Sequence, residues 1–164
     1  MLKSREDAWF SVSATTRKPR PGETDGVHYF FVSHEQFEDW IATDGLLEWA
    51  QVHGGEYYGT PRGPAQKRLE QGISVFLDID TQGAFQVMEA LPEAVSIFIE
   101  PPSLEDLQIR LEGRGTESAE QIEGRIALAE HEIEQKVRYN YQLVNDDLDL
   151  ATEELFCIIA REET

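Results

Sequence analysis

The run SVFLDID, Ser74 to Asp80, decides the fold. It is apolar, partly β-branched and without polar alternation, the pattern of a strand covered on both faces. A short polar helix, Pro64 to Gln71, precedes it and is stopped by Gly72. A helix from about Gly83 to Leu91 follows and ends at Pro92. VSIFIE (Val95 to Glu100) and YQLV (Tyr141 to Val144) repeat the buried-strand pattern. Between them, Pro101-Pro102 breaks the chain, and Ser103 with Asp106 signals a helix start. Leu104, Leu107 and Leu111 are the buried stripe of that helix, and Gly113-Arg114-Gly115 interrupts it. Ser118 and Gln121 then cap a helix carrying Ile122, Ile126, Ala129, Ile133 and Val137 on one face. A last helix, about Asp149 to Arg161, buries Leu155, Ile158 and Ile159. Buried strands alternating with helices predict a largely parallel α/β sheet.

The region before Ser74 is more polar. VHYFFV (Val27 to Val32) predicts a strand, and Ser33 with Gln36 a capped helix burying Phe37, Trp40 and Ile41, stopped at Gly45. LLEWAQV and EYYGT predict two short strands around Gly54-Gly55. Residues 27 to 60 therefore read as an insertion over one edge of the sheet.

Phe10 to Gly26, FSVSATTRKPRPGETDG, holds the strongest local departure in charge. A strand-like run leads through two hydroxyl residues to Arg17, Lys18 and Arg20. The whole chain of 164 residues has 14 Lys+Arg against 32 Asp+Glu, a net charge of −18. Arginine forks match phosphate oxygens, while Pro19 and Pro21 lack backbone donors, so side chains must do the binding. On composition alone a solvated basic turn competes with this anion site. The net charge argues against nucleic acid or an anionic membrane as partner. No run of 18 apolar residues predicts a transmembrane helix, and the charged start MLKSRED does not suit a signal peptide, so a cytoplasmic protein is expected. Cys157, the single cysteine, sits in LFCII and is expected to be a buried core thiol.

SATTRKPRPGE, GVHYFFVS, LLEWAQVHGGEYYGT, LDIDTQGA, PPSLEDLQIRLEGRGTES and VNDDLDLA, in this order, resemble guanylate kinases over about Phe10 to Ile159. The resemblance implies a three-layer, P-loop-NTPase-like parallel α/β sheet of the nucleoside monophosphate kinase type. It implies one domain, 1–164, with a core of about 1–26, 61–112 and 138–164. A mixed β GMP-binding insertion of about 27–60 and an arginine-bearing helical lid of about 113–137 complete it. The reaction implied is transfer of the γ-phosphoryl of ATP to GMP, with Mg2+. By resemblance Arg17, Arg20, Tyr29 and Tyr58 hold the GMP phosphate, and Ser13, Glu48, Thr60 and Asp78 contact guanine. A carboxylate accepts from both N1–H and N2–H2 of guanine, and adenine lacks that donor pair. Arg110, Arg114 and Arg125 match the lid arginines that neutralise charge on the transferred group. Asn145 matches the position beside the ATP adenine. Asp80, with Asp78, is a candidate for helping to organise Mg2+.

One departure stands against these matches. No G-x-x-x-x-G-K-[ST] run occurs, Gly22 is the first glycine, and Lys3 is the only lysine before Lys18. LKSRED resembles the tail of the helix that follows that loop, so the opening strand and phosphate loop are expected to be absent. Three readings follow: a guanylate kinase with its GMP half but not its ATP loop, inactive alone; a binding module for GMP or a phosphopeptide; or a protein whose open sheet is completed by a second copy or a strand-donating partner. Closure of the gap by Met1 to Phe10 is disfavoured, because Lys3, Arg5, Glu6 and Asp7 would be buried.

Overall fold

The computed structural model describes residues 7–52, 54–114 and 118–163, Arg114 by its backbone alone. The chain divides into two compact units, residues 1–93 and 94–164.

In the first unit, strand β1 (Ala8–Phe10) runs parallel to β6 (Ser74–Phe76), with Trp9 opposite Val75. Ser11 N–H to Phe76 O and Ser74 N–H to Asp7 O, each 2.9 Å, extend the pairing. The opening segment thus does enter a ladder, through the uncharged Ala8 to Phe10 and the backbone carbonyl of Asp7, whose residue stays exposed. A second sheet has the order β3-β2-β5-β4. It comprises β2 (Ala14–Thr15), β3 (Phe30–Phe31), β4 (Leu46–Gln51) and β5 (Tyr57–Pro61). β4 and β5 are antiparallel across Gly54 and Gly55, whose φ values of +88° and +82° suit glycine alone. Helix α1 (His34–Ala42) starts where Ser33 accepts from Gln36 N–H. Its fully buried Phe37 stacks on Tyr57 at 5.1 Å and joins Ala14 and Leu46 in the core. Helix α2 (Arg62–Glu70) and helix α3 (Thr81–Ala90) complete the unit.

In the second unit β7 (Ile97–Glu100) and β8 (Tyr141–Val144) pair in parallel. Helix α4 (Leu104–Arg114) begins with Asp106 N–H donating to Ser103 Oγ at 3.0 Å. Helix α5 (Ala119–Glu134) begins with a full capping box between Ser118 and Gln121. A 3-10 turn (Gln135–Arg138) follows, and helix α6 (Leu148–Glu162) packs Ala151 and Ile158 against Leu143.

Several expectations need correction. SVFLDID is a strand only at Ser74–Phe76, because its last residues leave the ladder to place Asp80 as the cap of α3. VHYFFV shortens to Phe30–Phe31, since Asp25 bridges to Tyr29 and its carboxylate takes the Phe31 N–H at 2.9 Å. β7 is not covered throughout: Ile99 is 53% exposed. Within its sheet β7 has one neighbour, β8, so it is an edge as well as a core strand. Val137 leaves the buried stripe because the 3-10 turn changes the phase of the helix. Gly113 does not interrupt α4, and Gly115 lies outside the described residues, as does all of LKSRED but its aspartate. Cys157 is exposed, because Ala151, Ile158 and Ile159 define the inner face of α6 and position 157 falls opposite.

Phe37→Ala is expected to cost about 3–5 kcal/mol in urea denaturation, as for a truncated core aromatic. Cys157→Ser is expected to change stability by less than about 0.5 kcal/mol. A Cys157→Ser cost comparable to that of Phe37→Ala would mean that the thiol is a core residue after all.

Candidate functional site

Two clusters form in the first unit. The first is built on the bend after β2. The backbone N–H of Arg17 donates to Thr15 Oγ1 at 3.2 Å, which fixes the direction in which its side chain leaves. Nε then donates to Tyr58 Oη at 3.0 Å, and Nη1 to the Lys18 carbonyl at 2.7 Å. Nη1 and Nη2 each donate to one carboxylate oxygen of Glu23 at 2.9 Å. The guanidinium also lies 5.4 Å from the Tyr29 ring centroid and 5.7 Å from that of Phe31, within cation–π range. Tyr29 meets Tyr58 edge-on at 5.9 Å, and burial pushes its hydroxyl above the usual range. The bond from Arg17, then that from the Arg20 backbone, holds the Glu23 carboxyl down to about 2. The Arg20 side chain is exposed and makes no hydrogen bond to a described residue.

The second cluster is built on the β4–β5 hairpin and the start of α3. Glu48 is only 4% exposed, and its Oε1 accepts from Thr60 Oγ1 at 2.7 Å. Its other oxygen faces Gly83, where a Cβ would come within 2.2 Å of Oε2. Glycine is therefore needed in the first turn of α3 for close approach, a role periodicity alone does not reveal. Asp80 Oδ1 accepts from Gly83 N–H at 2.8 Å. Burial raises the Glu48 carboxyl above the ordinary carboxylate range, the Thr60 bond opposes this, and the Asp80 charge adds to it. Gln86, one turn further on, locks α3 to β4: it accepts from Trp49 N–H at 3.1 Å and donates to Trp49 O at 2.6 Å. Asp78 is exposed, and its charge is felt at Tyr29. Ser13 enters through its backbone, its carbonyl taking the Phe30 N–H at 2.9 Å.

In the second unit Arg110 donates to the carbonyls of Asn145 at 2.8 Å and Asp146 at 3.2 Å. Asn145 N–H donates to Glu100 O at 2.8 Å, and both Glu100 carboxylate oxygens lie 2.8 Å from Lys136 Nζ. Arg110, Asn145, Glu100 and Lys136 thus gather at the carboxyl ends of β7 and β8, where open α/β sheets bind ligands. Arg125 is exposed on α5 beside Leu128, Ala129 and Glu132. The side chain of Arg114 lies outside the described residues.

Sequence reasoning missed Glu23, Gly83 and Gln86. Glu23 was visible as a carboxylate beside a Pro-Gly turn in a basic loop, and Gly83 as a glycine at a helix start. Nothing local marks Gln86.

The fold is α/β, of the nucleoside monophosphate kinase type. The guanylate kinase family profile matches residues 1–162. A guanylate kinase of Synechococcus is 50% identical over 149 residues, covering 91% of this chain and 78% of that relative. One from Synechocystis is 47% identical over 164 residues, covering 99% and 85%. The crystal structure of guanylate kinase from Anaplasma phagocytophilum superposes with a TM-score of 0.82 at 37% identity, covering 96% of this chain and 77% of that one. The chain belongs to the guanylate kinase family. Among the described residues no helix is long and apolar enough to cross a membrane.

Glu48→Gln separates stability from recognition. The native chain holds the Glu48 proton more tightly than the unfolded chain does. Stability from this group is present at low pH and lost as pH rises through the raised value. The variant is therefore expected to melt no lower than the parent at pH 7, with the difference narrowing as pH falls toward the ordinary carboxylate range. A lower melting temperature at pH 7 would show that the charge itself stabilises the fold.

Proposed function

We propose that this chain takes GMP in its first unit and serves phosphoryl transfer from ATP to GMP, giving ADP and GDP, in purine nucleotide metabolism. The observation that carries the reading is the pairing of two chemistries within that unit. One cluster joins Arg17 to the hydroxyl of Tyr58 and the ring of Tyr29, with the exposed Arg20 three residues on. The other holds a buried carboxylate, Glu48, braced by Thr60. The first suits a phosphate, the second the donor edge of guanine, with Asp78 as the exposed acceptor and Ser13 nearby in sequence. AMP would leave these acceptors unpaired.

Arg110, Arg114 and Arg125 are proposed to neutralise charge on the phosphoryl oxygens, where positioning and electrostatics supply most of the catalysis. Asn145 is proposed to lie beside the ATP adenine. Mg2+, when bound with ATP, would draw negative charge from the phosphates. The described residues do not themselves fit a resident metal, because Asp80 Oδ1 serves a helix cap and no three His, Cys, Asp or Glu side chains converge.

Calorimetry is expected to give GMP a clear preference over AMP. Arg20→Ala should weaken GMP by about 1.5–3 kcal/mol, as for a hydrogen bond to a charged group. Equal affinities, or no effect of Arg20→Ala, would overturn the reading.

The 164 residues contain no G-x-x-x-x-G-K-[ST] run, the loop that cradles ATP phosphates in P-loop kinases. This polypeptide alone is therefore expected to show little turnover in a coupled assay with ATP, GMP and Mg2+. A rate within about 1–100 s−1 would mean that other residues hold the ATP phosphates.

A further inference from the structure

We propose that Glu23 is a positioning residue for phosphate recognition, fixing which edge of Arg17 the anion meets. The proposal rests on the reading of this cluster as the GMP phosphate seat. An arginine has five N–H donors in a fixed plane. In Arg17 four are in use: Nε to Tyr58, one Nη1 proton to the Lys18 carbonyl, and one proton each of Nη1 and Nη2 to Glu23. The end-on fork, the pair that would otherwise clamp a phosphate, is occupied by a carboxylate of the same chain. The remaining donor is the second Nη2 proton. In the guanidinium plane it points along the same edge as Nε, where Tyr58 Oη sits. That oxygen accepts from Nε, so its own proton is free to donate. The geometry presents one N–H and one O–H side by side, with the exposed Arg20 as a second cation.

Three observations make Glu23 a support rather than a temporary occupant of the seat. Its carboxylate also takes the backbone N–H of Arg20 at 2.6 Å, so its departure would break a second bond besides the Arg17 fork. It is carried on a closed turn: Glu23 N–H donates to Arg20 O at 3.0 Å across Pro21 and Gly22, the glycine at φ +88°. The ion pair is also largely shielded, with side-chain exposures of 16% for Arg17 and 18% for Glu23. The Arg17 bond, then that from the Arg20 backbone, holds the carboxyl down to about 2.

The test compares GMP with guanosine on the 164-residue chain by NMR titration, for the parent, Glu23→Gln and Glu23→Asp. Glu23→Gln is expected to weaken GMP at least about tenfold, the loss of a charge-assisted contact. Guanosine, which has no phosphate, is expected to change by less than about twofold. Glu23→Asp keeps the charge with a shorter reach and should fall between. A merely structural defect would move both ligands together. Matching melting curves establish that the variants fold; should Glu23→Gln not fold, Glu23→Asp carries the same criteria. Unchanged or tighter GMP binding in the variant overturns the proposal, and tighter binding would make Glu23 a competing anion. A parent that binds GMP no better than guanosine removes the phosphate-seat reading itself, and this proposal with it.

Discussion

A carboxyl group, Glu48, is held almost out of water between a strand and the first turn of a helix, and the first unit is arranged to permit it. Desolvating a carboxylate is costly unless it is hydrogen-bonded. Thr60, opposite it on the hairpin, supplies one bond, and the absence of a side chain at Gly83 supplies the room. The same demand ties three elements together. β4 must present position 48 inward, β5 must put a hydroxyl at 60, and α3 must begin with Asp80 capping Gly83 N–H. Gln86 then fixes α3 against β4 by a reciprocal amide pair with Trp49. The raised carboxyl of Glu48 is the residue of that cost left after the Thr60 bond, and a donor edge brought by a ligand would offset it further.

What was legible in the sequence was mostly local. Serine caps form at Ser33, Ser103 and Ser118, because a cap is settled within four residues; the reciprocal bond of a full capping box is present at Ser118 and Gln121, whereas at Ser33 the serine half of the box is what forms. The hairpin across Gly54-Gly55 was legible for the same reason. Strand extents were not, since a ladder ends where its partner ends. Apolar character continues through Leu77 and Ile79, but the pairing with β1 stops at Phe76. Cys157 and Val137 failed in another way. Both lie in apolar stretches, and only the phase of the finished helix decides which apolar residues face inward.

The candidate site was legible in its residue types and illegible in its bonding. A count of cations in Arg17-Lys18-Pro19-Arg20 treats each as available to an anion. The structure distinguishes them. Arg17 is nearly saturated by Tyr58, Lys18 O and Glu23, whereas the Arg20 side chain makes no hydrogen bond to a described residue and acts on Glu23 through its charge alone. Of the two, Arg17 is pre-organised, with its side-chain ordering entropy already lost on folding.

The same accounting applies in the second unit. Arg110 gives two donors to the carbonyls of Asn145 and Asp146, at the turn that follows β8. Those carbonyls fall just before α6, whose own first N–H groups are capped by Asp147. Arg110 therefore fixes the backbone of the Asn145 turn while keeping three N–H donors for other partners. A planar guanidinium anchored on one edge is a rigid arm, and the anchoring directs the edge that remains.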